Sequence, residues 1–180
     1  MVCLLGAEST GKTTIAQALA AQLSCPWVPE YLRSFCDSQQ RTPRRDEQAL
    51  ILETQHIHAL AARECAARQG APFVFCDTAP LLSAIYSEDV FGDRSLLPRG
   101  RALHALYDLT LLCEADLGWV ADGFVRDGPA TQMRIHSALE AELSALAHRL
   151  GNQACTRISG SGGARIKAAV DALQRHHAAN

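Results

Sequence analysis

No C-x-x-C pair occurs among the seven cysteines of this 180-residue sequence, and none of its seven histidines stands in an H-E-x-x-H arrangement. The usual spacings of a structural zinc site and of a zinc peptidase are therefore missing. Long basic runs are absent too, and the formal net charge is −2, so nothing points to a nucleic-acid or anionic-membrane surface. No apolar stretch approaches the length that crosses a bilayer. The chain opens directly on an apolar run at Val2, so no signal peptide is expected. No internal repeat, low-complexity tract or linker divides it, and a single domain over residues 1–180 is expected. Hydrophobic residues at 48% and charged residues at 20% are ordinary for a soluble globular protein. Several cysteines sit inside apolar runs, as in Phe73-Val74-Phe75-Cys76 and Leu111-Leu112-Cys113. They read as small buried hydrophobes in a reducing cytoplasm.

What is present is concentrated near the start. Val2 to Leu5 is a short apolar run that meets Gly6-Ala7-Glu8-Ser9-Thr10-Gly11-Lys12-Thr13-Thr14, after which Ile15, Ala16, Leu19 and Leu23 continue at helical spacing. Strand, glycine loop and helix with G-x-x-x-x-G-K-[ST] at the joint form a P-loop pattern. Gly6 and Gly11 let the backbone turn its N–H groups toward a phosphate, and the helix beginning at Lys12 presents its positive end to the same anion. Lys12 adds a full charge for the β- and γ-phosphates, and the Thr13 hydroxyl can bind Mg²⁺. Residues 6–14 are thus read as a nucleoside triphosphate cradle. A GTPase switch is disfavoured, because no N-K-x-D or T-K-x-D stretch occurs and the only asparagines are Asn152 and Asn180.

Apolar runs then alternate with helical patterns to the end. Cys25 to Pro29 is a proline-bounded strand for a sheet edge. Ser38 to Arg45 is a loop, Asp46 caps a long helix that Gly70 ends, and Pro72 to Cys76 is a central strand buried on both faces. Pro80 to Tyr86 is helical, Leu109 to Cys113 a fourth strand and Met133 to Leu150 a helix. Ala154 to Ser159 is a fifth strand, and Ala164 to Leu173 a final helix. The alternation predicts an α/β fold with a parallel sheet covered by helices on both faces. Ligands in such sheets bind beyond the carboxyl ends of the strands, where Gly6 to Thr13, Glu30, Asp77 and Asp116 to Asp122 all fall.

Asp77, just past its strand, is placed to hold Mg²⁺ directly or through water. The alternative is a helix N-cap, a task that Thr78 could take instead. Glu30, at the end of the second strand, could accept the proton of an attacking hydroxyl, or simply be a solvated glutamate at a helix start. Arg33, one turn later, could pair with it or face a substrate. The segment from Asp116 to Gly128 is dense in acid, arginine and glycine, which suggests a lid over about residues 118–134. Arg126, with Arg134, is a candidate to close on the phosphates and stabilise charge in transfer. Trp119, Trp27, Tyr31 and His56 are each either stacking surfaces or core. Ser159-Gly160-Ser161-Gly162-Gly163 lacks a lysine and reads as a tight turn near the adenine edge of the site.

Taken together, these pieces resemble the ribosylnicotinamide-kinase domain of NadR-type proteins, a branch of the P-loop kinases. The matching stretches are Gly6 to Thr13, Val28-Pro29-Glu30-Tyr31-Leu32-Arg33, Glu53-Thr54-Gln55, Phe75-Cys76-Asp77-Thr78, Tyr107 to Leu112 and Asp116-x-x-Trp119-Val120-x-Asp122-Gly123. They occur in family order over nearly the whole chain. The resemblance implies a three-layer P-loop fold with a five-stranded parallel sheet ordered 2-3-1-4-5. It also implies MgATP as donor and transfer to the 5′-hydroxyl of nicotinamide riboside or a related riboside. Lys12, Glu30, Asp77 and Arg126 would then be catalytic, Thr13 and Asp77 would hold the metal, and Glu30, Tyr31, Arg33, Gln55, Trp119 and Asp122 would face the small-molecule acceptor. The adenylyltransferase domain of bifunctional members has no room in this sequence, so mononucleotide but not dinucleotide synthesis is expected. Pro29, His56 and Gly118 depart from the family pattern, and all three lie on the acceptor side. Kinases of other nucleosides or nucleotides, and a nucleotide-dependent regulatory ATPase, remain as alternatives.

Overall fold

A computed structural model describes residues 1–120, 128–150 and 154–178. Five parallel strands form one sheet: β1 (Val2–Leu5), β2 (Trp27–Val28), β3 (Phe75–Asp77), β4 (Leu109–Cys113) and β5 (Ala154–Ile158). Their order is β2-β3-β1-β4-β5, as the resemblance implied, with β1 at the centre. Leu4 stands opposite Asp77 on one side and Leu111 on the other, so the strands end together and their carboxyl ends form one rim. The helices between them are α1 (Lys12–Leu23), α2 (Tyr31–Gln39), α3 (Gln48–Gln69), α4 (Pro80–Phe91), α5 (Leu97–His104), α6 (Pro129–Leu150) and α7 (Gly162–Ala178).

The pleat sends alternate β1 side chains to opposite faces, and each face has its own core. Val2 and Leu4 pack with Ile15 and Leu19 of α1 and with Ala169 and Leu173 of α7. Cys3 and Leu5 pack with Leu52 of α3, Leu81 and Ile85 of α4, and Ile135 and Leu139 of α6. The result is a helix–sheet–helix sandwich. It explains why β1, β3 and β4 read as unbroken apolar runs: both faces are buried. Burial of each leucine on these strands contributes roughly 1.5–3 kcal/mol.

Helix ends follow the expected chemistry in part. Gly70 and Gly92 close α3 and α4 in left-handed conformation, at φ 68° and 63°. Asp46, expected to cap α3, instead lies inside a short 3₁₀ turn, Arg45–Glu47. The carboxylate of Glu47 does the work, accepting the Arg44 N–H at 2.7 Å and a two-pronged Arg41 guanidinium at 2.6 and 2.7 Å. That guanidinium is the main cause of the Glu47 carboxyl being held down to about 2.

Two helices have no counterpart in the sequence reading. α2 buries Phe35 and Cys36 on Ile51 of α3 with Tyr31 and Leu32 packed beside them, an apolar face only about two turns long that is held by tertiary packing. The same helix takes Ser38 and Gln39 out of the expected loop. α5 carries Pro98 in its first turn and Gly100 in its middle, residues that disguise a helix. Gly100 is needed there, because a Cβ would lie 2.9 Å from the Ala84 Cβ across the α4–α5 contact. Five cysteines are buried as expected, whereas Cys65 is half-buried and Cys155 exposed. No helix among the described residues is long and apolar enough to cross a membrane.

Behind β1 a buried polar group interrupts the core. His104 accepts or donates at 3.1 Å to the Thr110 hydroxyl, which also meets Cys3 Sγ at 3.4 Å. Burial lowers the His104 imidazole from 6.5 to about 4. The unfolded chain therefore takes up a proton near pH 6.5 that the folded chain refuses until about pH 4. Stability from this site is complete above pH 6.5 and is lost as pH falls toward 4, by on the order of 3 kcal/mol. Urea unfolding between about pH 4 and 8 should show an acid-side loss that is smaller in His104→Gln than in the unsubstituted protein.

Candidate active site

The chain leaves β1 at Gly6 under tight constraint. A Cβ there would lie 2.6 Å from Thr10 Oγ1 and 2.7 Å from the Cys113 carbonyl oxygen at the end of β4. Only glycine passes. Ser9 and Gly11 then turn left-handed, at φ 57° and 78°, and α1 starts at Lys12. Thr10 Oγ1 donates to the Ala7 carbonyl at 2.8 Å, and Lys12 Nζ donates to the same oxygen at 2.9 Å. The lysine is thus folded back across the mouth of its own loop, at the free end of α1.

Thr13 Oγ1 donates to Asp77 Oδ2 at 2.6 Å. Asp77 is 1% exposed, and its second oxygen, Oδ1, is buried without a hydrogen-bond partner. A hydroxyl and a carboxylate with a spare buried oxygen beside a phosphate loop are a donor set that suits Mg²⁺. Capping is not the task of either neighbour. α4 begins after Ala79 with Pro80 in its first turn, and the buried Thr78 hydroxyl makes no hydrogen bond. The cap alternatives for Asp77 and Thr78 are therefore set aside.

One cleft of about 530 Å³ runs from the loop to the second strand. Glu8 to Thr14 form one wall, Glu30 and Arg33 of the α2 start a second, and Leu82 and Tyr86 of α4 a third, with Leu117, Gly118 and Val120 at the rim. Of the expected residues, the structure brings Glu8, Ser9, Thr10, Gly11, Lys12, Thr13, Thr14, Glu30 and Arg33 to a common space. Tyr31 does not line it; the ring packs beside Phe35, Cys36 and Ile51 and meets His58 edge-on at 5.6 Å. Gln55 is buried behind it. Its Oε1 accepts the Tyr31 N–H at 2.7 Å, and its Nε2 reaches the Pro29 carbonyl at 3.4 Å. The amide grips the backbone on both sides of Glu30, so it orients that residue instead of meeting a ligand.

Trp119 is half-buried and tied to the loop. Its Nε1–H donates to Glu8 Oε1 at 3.0 Å, while the Val120 N–H and carbonyl bond the Ser9 hydroxyl at 3.2 and 3.1 Å. Asp122 and Arg126 lie outside the described residues. Arg134, expected to join Arg126 over the phosphates, pairs with Asp89 of α4 through two bonds of 2.9 and 3.0 Å. At the far rim, Asp116 accepts the Gly160 N–H at 2.6 Å and pairs with Arg165. Burial raises its carboxyl, but those two donors outweigh it and leave the group below its ordinary value.

Four site residues escaped the sequence reading. Leu82 and Tyr86 stand one turn apart on the helix after Asp77, a spacing that could have flagged them. Gln132 and Arg165 gave no local signal. The Gly6 contacts generate a direct expectation: Gly6→Ala drives a methyl into Thr10 and Cys113, so MgADP affinity measured by calorimetry should fall at least about tenfold. Circular dichroism should show the secondary structure retained.

A family model described as AAA domain matches residues 1–160. No curated protein sequence matches the chain. Among solved structures, a NadR protein in complex with NAD and AMP-PNP superposes with a TM-score of 0.74 at 22% identity, over 98% of this chain and 49% of that one. A NadR protein in complex with NR gives 0.74 and 22%, over 97% of this chain and 50% of that one. The chain thus spans about half the length of the NadR structures it matches. Thymidylate kinase from Ehrlichia chaffeensis gives 0.61 and 16%, over 97% and 96% of the two chains. With the family model covering the P-loop and four further strands, the chain belongs to the AAA domain family and has the fold of a NadR-like P-loop kinase.

Proposed function

We propose that the protein is an ATP-dependent small-molecule kinase whose acceptor is nicotinamide riboside or a related riboside. The observation that carries this reading is the continuity of the cleft: the phosphate loop and Glu30 share one space. A nucleotide-binding switch has no need of a carboxylate facing the loop across an open pocket. A small acceptor does. The kinase fold and the NadR complex with NR support the acceptor class without identifying it.

In this reading ATP lays its β- and γ-phosphates in the loop, and Lys12 exchanges the Ala7 carbonyl for phosphate oxygens. Mg²⁺, held through Thr13 and Asp77, would supply charge neutralisation at those oxygens when bound. The acceptor hydroxyl approaches from the Glu30 side in line with the bond to be broken. Its oxygen forms the new P–O bond as the bond from the γ-phosphorus to the β–γ bridging oxygen breaks, and ADP leaves with that electron pair. Glu30 takes the hydroxyl proton. Arg33 and Tyr86 shape the acceptor space, and Arg126, which lies outside the described residues, would add positive charge at the phosphates.

The test is ADP release with MgATP against a panel of ribosides and mononucleotides, with Lys12→Ala as the blank. One acceptor should raise turnover well above basal hydrolysis. A panel in which none does so, while nucleotide alters binding of a protein partner, would replace the kinase with a regulatory ATPase. A best acceptor among the mononucleotides would select the nucleotide-kinase alternative. Glu30→Gln should lower acceptor-dependent turnover by roughly a hundredfold; an unchanged rate removes Glu30 from proton transfer. Asp77→Asn should raise the Mg²⁺ concentration needed for half-maximal turnover, and a normal titration would remove it from the metal site.

A further inference from the structure

A P-loop grips phosphate through backbone N–H groups, so the orientation of each peptide plane decides what the loop can bind. A trans peptide is planar, and its C=O and N–H point in opposite directions. Any group that holds a carbonyl on one side therefore turns the N–H of the next residue to the other. Two buried side chains from distant helices do this here. Gln132 of α6, 4% exposed, donates its Nε2 to the Glu8 carbonyl at 2.8 Å. Arg165 of α7, 3% exposed, donates Nη2 to the Thr10 carbonyl at 3.0 Å. The N–H groups of those same peptide units belong to Ser9 and Gly11, and both residues line the cleft.

Arg165 is itself locked in place. Nη2 also reaches the Glu114 carbonyl at 2.7 Å, and Nη1 reaches the Gly160 carbonyl at 2.7 Å and the Asp116 carboxylate. One guanidinium thereby joins the phosphate loop, the end of β4 and the turn before α7. Its planar fork is what permits this, since a lysine ammonium cannot span the same set of acceptors. The remaining donor, Nε–H, has no hydrogen-bond partner and lies 3.9 Å from where a Gly11 Cβ would be. A buried guanidinium with an unmade hydrogen bond is costly for folding alone. The cost is understandable if the guanidinium is there to hold the loop.

We propose that Gln132 and Arg165 are positioning residues for the phosphate cradle. By holding the Glu8 and Thr10 carbonyls away from the cleft, they keep the Ser9 and Gly11 N–H groups aimed into it before a ligand arrives. Neither side chain lines the cleft; each acts through one peptide plane. Such preorganisation lowers the ordering cost of binding. The inference rests on reading the cleft as a nucleotide site and is independent of the acceptor.

Calorimetric titration with MgADP, well below each variant's melting temperature, tests it without requiring turnover. Gln132→Met keeps the length of the side chain without the donor, Arg165→Met removes the cation, and Arg165→Lys keeps charge without the fork. Leu139→Ala on α6 and Leu173→Ala on α7 are cavity controls in the same helices, away from the loop. The expected result is a Kd raised roughly tenfold or more in all three donor variants. The two controls should lose at least as much melting temperature and keep wild-type affinity. Donor variants that bind as wild type, or controls that weaken equally, would overturn the proposal. Wild-type affinity in Arg165→Lys alone would overturn the orientation role of Arg165 in favour of simple charge. If Arg165→Met does not fold, Gln132→Met and Arg165→Lys decide the matter. A wild-type protein that fails to bind MgADP defeats the nucleotide-site reading and this inference with it, whereas wild-type binding with unaffected variants defeats this inference only.

Discussion

Everything at the site depends on how closely the chain can pass the end of β4 as it leaves β1. Gly6 sits where a single methyl would collide with Thr10 and with the Cys113 carbonyl. That contact seats the loop on the rim of the sheet, between the central strand and its neighbour, and fixes where α1 begins. From there the parallel register takes over. Because Leu4 stands opposite Asp77, the carboxylate at the end of β3 arrives beside the first turn of α1, and the 2.6 Å bond to Thr13 follows. A one-residue slip of β3 would turn Asp77 to the other face of the sheet and leave Thr13 without it.

The loop is also held from outside, by segments far away in sequence. Glu8 and Ser9 bond Trp119 and Val120, 111 residues on, while Gln132 and Arg165 take two of the loop's carbonyls. Glu8-Ser9 and Trp119-Val120 are thus two halves of one hydrogen-bonded contact. The loop side of the cleft is accordingly stiff. The Glu30 side is built differently, on a nine-residue helix that buries two side chains and is steadied behind Glu30 by Gln55. Few buried contacts mean low local stability on that side. The departures at Pro29 and His56 fall there.

Departures from the expected local chemistry have a common cause. Glu47 rather than Asp46 serves the start of α3 because Arg41 is in reach of it and locks its carboxylate in place. Arg134 pairs with Asp89 on α4. In each case a charge partner supplied by another element outweighed the preference of the residue within its own segment, since a two-pronged arginine–carboxylate pair is stronger than a single cap bond.

The sequence by itself determined the phosphate loop, the alternation of strands and helices, the burial of both sheet faces, and the positions of Asp77 and Glu30 at strand ends. These are readable because they are local: glycine spacing, apolar periodicity and a residue's place after a strand are properties of a few consecutive positions. The sheet order followed from family resemblance, which draws on more than periodicity. Tertiary structure alone decided that Gln55 holds Glu30 in place, that Tyr31 turns into a small core, that Leu82 and Tyr86 wall the cleft, and that α2 and α5 are helices at all. It also decided that a glutamine and an arginine set the peptide planes of the loop. Arg165 meets Thr10 across 155 residues, and a hydrogen bond to a carbonyl leaves no trace in the identity of the residue that accepts it. What the chain writes locally can be read in order; what it assembles from opposite ends appears only once the two ends meet.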